Sequence, residues 1–301
     1  MKVGRFAPSP SGRMHLGNVY AALLSWLSAR SSGGRWIVRI EDLDRQRCRP
    51  CYSDMLLDDI RWLGLEWDGE VVRQSERTAL YEEAFSALSN EGLVYPCFCS
   101  RADLLASSAP HSSDGIPVYS GKCRNIAPLE RNALMEKRAP SWRVRVGGIS
   151  EFEDGHYGAQ RILLEDDFGD FVVRRADGNF AYQLAVVVDD ADEGVTEVVR
   201  GRDLLASAHG QLFLYRALSL PAPSFSHIPL LVSSDGRRLS KRERDVDMEF
   251  LRSRFTPEFV VGKILHMCGF VEEVRPVALS EAVSLFSWNA LPSEDIVFRP
   301  F

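Results

Sequence analysis

The chain has 301 residues, 45% hydrophobic and 26% charged, with 22 glycines and 15 prolines. This length suits one core with an appended or inserted unit, because single cores seldom exceed about 250 to 300 residues. The composition excludes fibrous and disordered classes, and the formal net charge of −6 excludes a globally basic coat for nucleic acid.

An RNA partner would therefore have to be met by local patches. No run reaches the roughly 18 apolar residues of a membrane span. Arg5, Pro8 and Pro10 stand where a secretory signal needs an apolar stretch. A cytoplasmic protein without membrane association is expected.

Lys2 to Phe6 reads as a strand, 7–12 as a Pro/Ser/Gly loop, and His15 to Arg30 as a helix. Leu16, Val19, Tyr20, Leu23, Leu24 and Leu27 recur there at helical spacing. Ser31 to Gly34 stops the helix, and Trp36 to Ile40 completes a βαβ unit. In doubly wound folds the loop at such a helix start binds phosphate. Helical spacing returns over 52–63 and over 75–91, the latter with Ser75 as the expected cap.

From Tyr95 to Arg138 the texture turns to Cys, Ser, Pro and Gly. β-like alternation follows from Trp142 to Asp177, broken by Gly147, Gly148 and Gly169, which marks an inserted unit. Phe180 to Asp189 and Glu197 to Arg200 read as strands, Leu204 to Leu218 as a helix, and Ile228 to Val232 as another strand. Beyond Lys241 the chain reads as mainly helical.

Two loops carry the strongest chemical signals. The first runs from Arg5 to Asn18 and includes Ser9, Gly12, His15 and Gly17. A helix start offers unpaired N–H groups and a positive dipole end, Gly17 lets a base or phosphate approach the backbone, and His15 can donate to phosphate oxygens. The second is Arg237-Arg238-Leu239-Ser240-Lys241-Arg242, after Asp235-Gly236. Singly, the first is an ordinary turn and the second a solvated cationic face.

As a pair they resemble the two signatures of class I aminoacyl-tRNA synthetases. That resemblance implies attack of a carboxylate on the α-phosphate of ATP, with charge on the phosphate stabilised by a lysine on a closing loop. His15 and Lys241 become the catalytic candidates, and His15, Gly17, Ser240 and Lys241 the ATP contacts. Arg5 to Pro10 with Gly12 and His15, Arg39 to Asp44, and Val199 to Leu205 look like the glutamyl-tRNA synthetases, in that family's order. Asn18 departs from the broader class, which often has a second histidine there.

A glutamate pocket also follows from charge. A dianionic amino acid with an ammonium group needs two cations and a carboxylate. Arg5 and Arg200 suit the carboxylates, Glu41 suits the ammonium, and Tyr182 would add a hydroxyl at the wall. The family places its amino-acid contacts at the matching positions, and Ser9 joins them. Each also has an ordinary reading: Arg39 with Glu41 as a surface ion pair, Tyr182 as a core aromatic.

Cys97, Cys99 and Cys123 can close three corners of a tetrahedral zinc site. On coordination chemistry alone His111 is the preferred fourth ligand over Tyr119, with Cys48 or Cys51 behind them. The resemblance favours Tyr119, because the short glutamyl-synthetase paralogues have a Cys-x-Cys and then a tyrosine four residues before the last cysteine. The expected metal is one structural Zn2+ per chain, with Mg2+ accompanying ATP. Cys48 and Cys51 lack a matching second pair and read as structural.

The expected fold is α/β: a Rossmann-like parallel-sheet catalytic domain in two halves, 1–95 and 180–242. An inserted zinc-bearing α+β unit facing RNA occupies 96–179, and a helical stem-contact-like region occupies 243–301. With only 60 residues beyond the lysine loop, no anticodon-binding domain is expected.

That pattern looks like the glutamyl-queuosine tRNA(Asp) synthetase family. The resemblance implies activation of L-glutamate to glutamyl-AMP and its transfer to queuosine at the first anticodon position of tRNA(Asp). The anticodon stem-loop would meet a local groove including Arg101, Arg124, Arg237 and Arg242. The competing readings are charging of a tRNA 3′ end and a catalytically silent RNA-binding paralogue. A monomer is the default expectation.

Overall fold

The structure, a computed structural model, describes residues 1–100, 118–237 and 246–299. Strand β1 (Val3–Phe6) leads through a loop into α1 (Leu16–Ser31), and β2 (Arg35–Ile40) returns parallel to β1. Side chains on β2 alternate between two layers. Trp36, Val38 and Ile40 pack with α1, while Ile37 joins the cluster on the opposite side.

Helix α2 (Pro50–Trp62) opens on a proline, whose missing N–H would have had no helical acceptor in any case. After β3 (Val72–Arg73), a short 3-10 turn precedes α3 (Thr78–Asn90). Ser75 is not the cap of this helix. Its N–H and hydroxyl both bond Asp42 at 2.8 Å, and α3 starts after Arg77 with no side-chain cap.

The next segment contributes β4 (Val94–Cys97), α4 (Pro128–Lys137), β5 (Ser141–Val144), β6 (Ile149–Asp154), β7 (Gly158–Leu163) and β8 (Phe171–Arg174). β4, β5 and β8 form an antiparallel sheet, and β6 with β7 forms a separate hairpin.

Phe180 to Asp189, expected as a strand, is mostly helix: α5 spans Tyr182–Asp192. Residues 184–190 are all buried, so the segment has no polar face, and a short helix covered all round shows the same unbroken apolar run as a buried strand.

Then come β9 (Glu197–Gly201), α6 (Leu205–Ala217) and β10 (Ser224–Ile228). The strand expected over Ile228 to Val232 instead begins at Ser224, and β11 (Leu231–Val232) is a separate short strand. Beyond it lie α7 (Met248–Arg254), α8 (Pro257–Met267), α9 (Leu279–Leu285) and β12 (Ile296–Val297), which pairs in parallel with β11. Asp247 and Thr256 cap α7 and α8 through the N–H groups of Phe250 and Phe259.

The main sheet is parallel with strand order β10-β9-β1-β2-β3. From β1 the chain moves outward through β2 and β3, and later returns on the other side as β9 and β10. Such a switch in direction opens a crevice at the carboxyl ends of the central strands. Among the described residues no helix is long and apolar enough to cross a membrane.

Candidate active site and metal centre

A cleft of about 500 Å³ lies at that crevice. Its lining includes Arg5 from β1, Ser9 and Gly12 from the following loop, His15 and Gly17 at the start of α1, Glu41 just past β2, Tyr182, and Arg200 from β9. The backbone N–H of Glu41 donates to the Pro8 carbonyl at 3.0 Å, which ties the loop after β1 to the end of β2.

His15 is the N-cap of α1. Its Nδ1 accepts the Gly17 N–H at 3.1 Å, and Asn18 Oδ1 accepts the His15 N–H at 3.2 Å. With Nδ1 accepting, the neutral ring carries its proton on Nε2. A Cβ at position 17 would lie 2.9 Å from the His15 ring, so a glycine is required for this contact. Asn18 thus has a local task that a histidine would perform differently.

Behind the cleft lies a buried ionic cluster. Arg39 is fully enclosed and reaches Asp190 at 2.8 Å, Glu193 at 2.5 Å, Glu41 at 3.5 Å and Asp189 at 3.6 Å. Arg5 Nε bonds Asp190 at 3.3 Å, and Arg77 Nε bonds Asp189 at 2.6 Å.

Burial pushes the Glu41 carboxyl up to about 7, opposed by Arg39 and Arg5 and reinforced by Asp190 and Asp189. Burial also acts to raise Asp190, but Arg39 and Arg5 outweigh it and hold that carboxyl below its ordinary range. Asp190 is therefore the permanent anion of the cluster. Glu41 is the raised carboxyl that lines the cleft.

Arg200 stands in a different environment. It is 5% exposed, and none of its nitrogens lies within ion-pair distance of a carboxylate among the described residues. Nε donates to His227 Nε2 at 3.0 Å, Nη1 to Gln211 Oε1 at 2.9 Å and Tyr182 Oη at 3.4 Å, and Nη2 to the Leu204 carbonyl at 3.1 Å. Burial lowers its basicity, with Tyr182 and Asp190 opposing and Arg5 reinforcing the effect. A buried cation held only by neutral groups is costly unless an anion joins it.

A smaller cavity of about 270 Å³ adjoins the cleft, sharing Ser9, Ser11, Glu41 and Tyr182 and bordered further by Asp44, Arg47, Arg175 and Asn179.

The cysteine cluster lies at the end of β4. The sulfurs of Cys97, Cys99 and Cys123 all lie within 4.8 Å of one another, with Cys99 and Cys123 at 3.6 Å. Tyr119 Oη is 3.5 Å from Cys97 Sγ and 3.8 Å from Cys99 Sγ, and it accepts the Cys123 N–H at 2.7 Å.

Tetrahedral zinc with sulfur at about 2.3 Å spaces its sulfurs about 3.8 Å apart, so the donor set fits a tetrahedral ion. Burial acts to raise the Cys97 thiol, but hydrogen bonds with Tyr119, the Cys99 backbone and Arg143 lower it overall. Burial raises Cys99 to about 11. Arg143 donates to Cys97 Sγ at 3.3 Å and lies 4.0 Å from the Tyr119 ring centre, a cation placed against thiolate charge.

The family model for the catalytic domain of class I tRNA synthetases (E and Q) matches residues 2–293. The glutamyl-Q tRNA(Asp) synthetase of Symbiobacterium thermophilum is 48% identical, covering 98% of this chain and 95% of its own. That of Nitratidesulfovibrio vulgaris is 42% identical with 98% and 94% coverage, and that of Neisseria meningitidis 50% identical with 80% and 81%.

The chain belongs to the glutamyl-Q tRNA(Asp) synthetase family.

A crystal structure of a glutamate tRNA ligase from Elizabethkingia meningosepticum in complex with its amino acid superposes with a TM-score of 0.82. The two share 25% identity, with 99% of this chain and 67% of that one covered. The class I synthetase fold, a mixed α/β architecture on a parallel sheet, is shared with it.

In this glutamyl-Q tRNA(Asp) synthetase family member the structure brings Arg5, Ser9, His15, Gly17, Glu41, Tyr182 and Arg200 to one cleft. It also brings Cys97, Cys99, Tyr119 and Cys123 together. Cys48 and Cys51 stand outside the metal-capable group. Arg39 and Glu41 are buried members of a network, not a surface pair.

Ser240, Lys241 and Arg242, with Arg101 and His111, lie outside the described residues. The Val246 carbonyl accepts the Leu16 N–H at 2.9 Å, and Asp247 forms a bridge with His15.

Asp190, Gln211, His227 and Arg143 went unrecognised in the sequence. For Asp190 a signal existed: the acidic run Asp189, Asp190, Asp192, Glu193 ends an otherwise apolar segment, where helical phasing would have put acids beside Arg39.

Proposed function

We propose that this chain activates L-glutamate with ATP and transfers the glutamyl group to queuosine at the first anticodon position of tRNA(Asp). The glutamate α-carboxylate attacks the α-phosphate of ATP and pyrophosphate leaves. A hydroxyl of queuosine then attacks the glutamyl-AMP carbonyl and AMP leaves. The observation that carries the amino-acid assignment is Arg200, a buried cation facing the cleft without a carboxylate among the described residues. With Arg5 it meets the two carboxylates of glutamate, Glu41 in its ionised form takes the ammonium, and Ser9 and Tyr182 complete the wall.

His15 and Gly17 at the start of α1 take the ATP phosphates, and Ser240 with Lys241 completes the charge stabilisation. Among the described residues, the Val246 carbonyl accepts from the N–H of the first residue of α1. Mg2+ travels with ATP, held mostly by phosphates and water. The smaller cavity beside Glu41 and Tyr182 offers the acceptor nucleoside an approach to the glutamyl carbonyl.

Cys97, Cys99, Tyr119 and Cys123 would hold one Zn2+ in a closed set without an open position, so the metal acts as a staple within the segment 96–179, the proposed RNA-facing unit. The acceptor assignment is supported by the names of the relatives.

The deciding experiment is transfer of labelled glutamate to tRNA(Asp) with and without queuosine, followed by alkaline release and mapping of the labelled nucleotide. Label confined to the queuosine-containing RNA is expected. Equal labelling of both would favour charging of a 3′ end, the reading suggested by the likeness to a glutamate tRNA ligase. Absence of glutamate-dependent pyrophosphate exchange would favour a silent RNA-binding paralogue.

A further inference from the structure

We propose that Asp154 and His227 form a relay that positions Arg200 and balances its charge from a distance, leaving its outer face to the substrate carboxylate. The inference rests on the reading that Arg200 binds glutamate. Arg200 on β9 and His227 on β10 are register partners in adjacent parallel strands, which puts both side chains on one face of the sheet.

An arginine can only donate, so the 3.0 Å contact from Arg200 Nε makes His227 Nε2 an acceptor. The ring proton then sits on Nδ1, which donates to Asp154 Oδ2 at 2.6 Å. Burial lowers the His227 imidazole, with Arg200 reinforcing and Asp154 opposing the effect, and the ring stays neutral.

Asp154 is fixed in turn by its own surroundings. Its Oδ1 accepts the backbone N–H groups of His156 and Tyr157 at 3.0 Å and of His227 at 3.2 Å. It ends β6, and the hairpin turn that follows is seated directly on β10. The Gly155 N–H donates to the Phe225 carbonyl at 2.8 Å, and a Cβ on Gly155 would lie 2.2 Å from Ser226 Oγ. All three members are nine-tenths buried or more.

The two cleft arginines therefore differ in kind. Arg5 touches Asp190 directly, an anion that competes with any ligand carboxylate. Arg200 has its balancing anion one imidazole away. Of its five N–H groups four are engaged, and one on Nη2 has no partner among the described residues. The relay makes this position demand a carboxylate from the substrate, and it links the β6–β7 hairpin to the amino-acid pocket.

The test is glutamate-dependent pyrophosphate exchange by the full chain, with separate KM values for glutamate and ATP and a melting temperature for each variant. His227→Leu is expected to raise the glutamate KM about tenfold or more with the ATP KM within about twofold, the effect of removing one hydrogen bond to a buried charged group. His227→Gln, whose amide oxygen can accept from Nε, should recover part of that loss. Asp154→Asn should raise the glutamate KM by itself and add nothing in the His227→Leu background.

Additive effects of the two substitutions, or parallel rises in both KM values, would overturn the relay and leave Asp154 and His227 as packing residues. If His227→Leu fails to fold, the same glutamate-selective rise in Asp154→Asn and His227→Gln decides, and its absence overturns the proposal. Arg200→Lys separates the layers: an unchanged glutamate KM there sinks the role of Arg200, whereas a raised value beside a wild-type His227→Leu sinks the relay alone.

Discussion

At the scale of single residues, Glu41 is a destabilising group retained in a cleft. Folded, it holds its proton to about pH 7, whereas the unperturbed carboxyl loses it near 4.5. Between these values the folded state binds more protons than the unfolded state, so stability falls as pH rises through that window and the deficit is complete above it. Glu41→Gln is therefore expected to raise the melting temperature at pH 8 and to leave it nearly unchanged at pH 4. The same variant should weaken glutamate-dependent exchange, since an amide oxygen can accept from an ammonium group but brings no opposite charge to it.

In the wild type the glutamate KM should climb as pH falls below 7, by up to about tenfold per unit, as the carboxyl takes up its proton. A flat KM between pH 5.5 and 8 would contradict this role. Gly17 makes a second residue-scale case. A methyl there must displace the His15 ring, and Gly17→Ala should raise the ATP KM well above any change in the glutamate KM, read in the same assay.

Among the elements, α5 shows how a segment of strand-like composition becomes a helix. Val186, Val187 and Val188 favour extended backbone in isolation, yet the helix turns Asp189 and Asp190 toward Arg77 and Arg39 while its apolar residues fill the layer beneath the sheet. Leu184 is fully enclosed in that layer, and Leu184→Ala should lower unfolding free energy by about 2 to 5 kcal/mol in denaturant titration. A loss below about 1 kcal/mol would show that the layer collapses to fill the gap.

The cysteine cluster at the end of β4 makes a different demand, because it brings three sulfurs and a phenol oxygen together as the proposed metal ligands. Tyr119→Phe keeps the ring against Arg143 but removes the oxygen that accepts from Cys123. Metal content measured after dialysis should fall in this variant while the fold persists. Retention of a full equivalent would point to His111 as the fourth ligand.

For the whole molecule, the parallel sheet and the antiparallel sheet are held by different means. The first buries two extensive apolar layers; the second shares one of them through Val144 and Val173 and, at the end of β4, also adjoins a small cluster of Tyr95, Cys97, Phe98, Tyr119 and Cys123. Chelation of the proposed metal should therefore expose amides around Cys97 and Cys123 to hydrogen exchange while β1, β2 and β9 remain protected. Simultaneous loss of protection in both sheets would mean that the molecule unfolds as one unit.

Local chemistry in the sequence determined much of this protein. The βαβ unit follows from helical spacing between two β-rich runs, and the cleft loop from its Pro, Ser and Gly content. The grouping of the three cysteines follows from their spacing, and the proposal of Arg5 and Arg200 as carboxylate ligands from the charge of glutamate. Such features are short-range, so composition and period report them directly.

Only tertiary structure decided that Phe180 to Asp189 is mostly helical, that Ser75 bonds Asp42 instead of capping a helix, and that Arg39 is enclosed among four carboxylates. It also decided that Asp154, 73 positions before His227, meets it at 2.6 Å. Burial and strand register are properties of the packed sheet, and they alone set which distant charges must be balanced and by what.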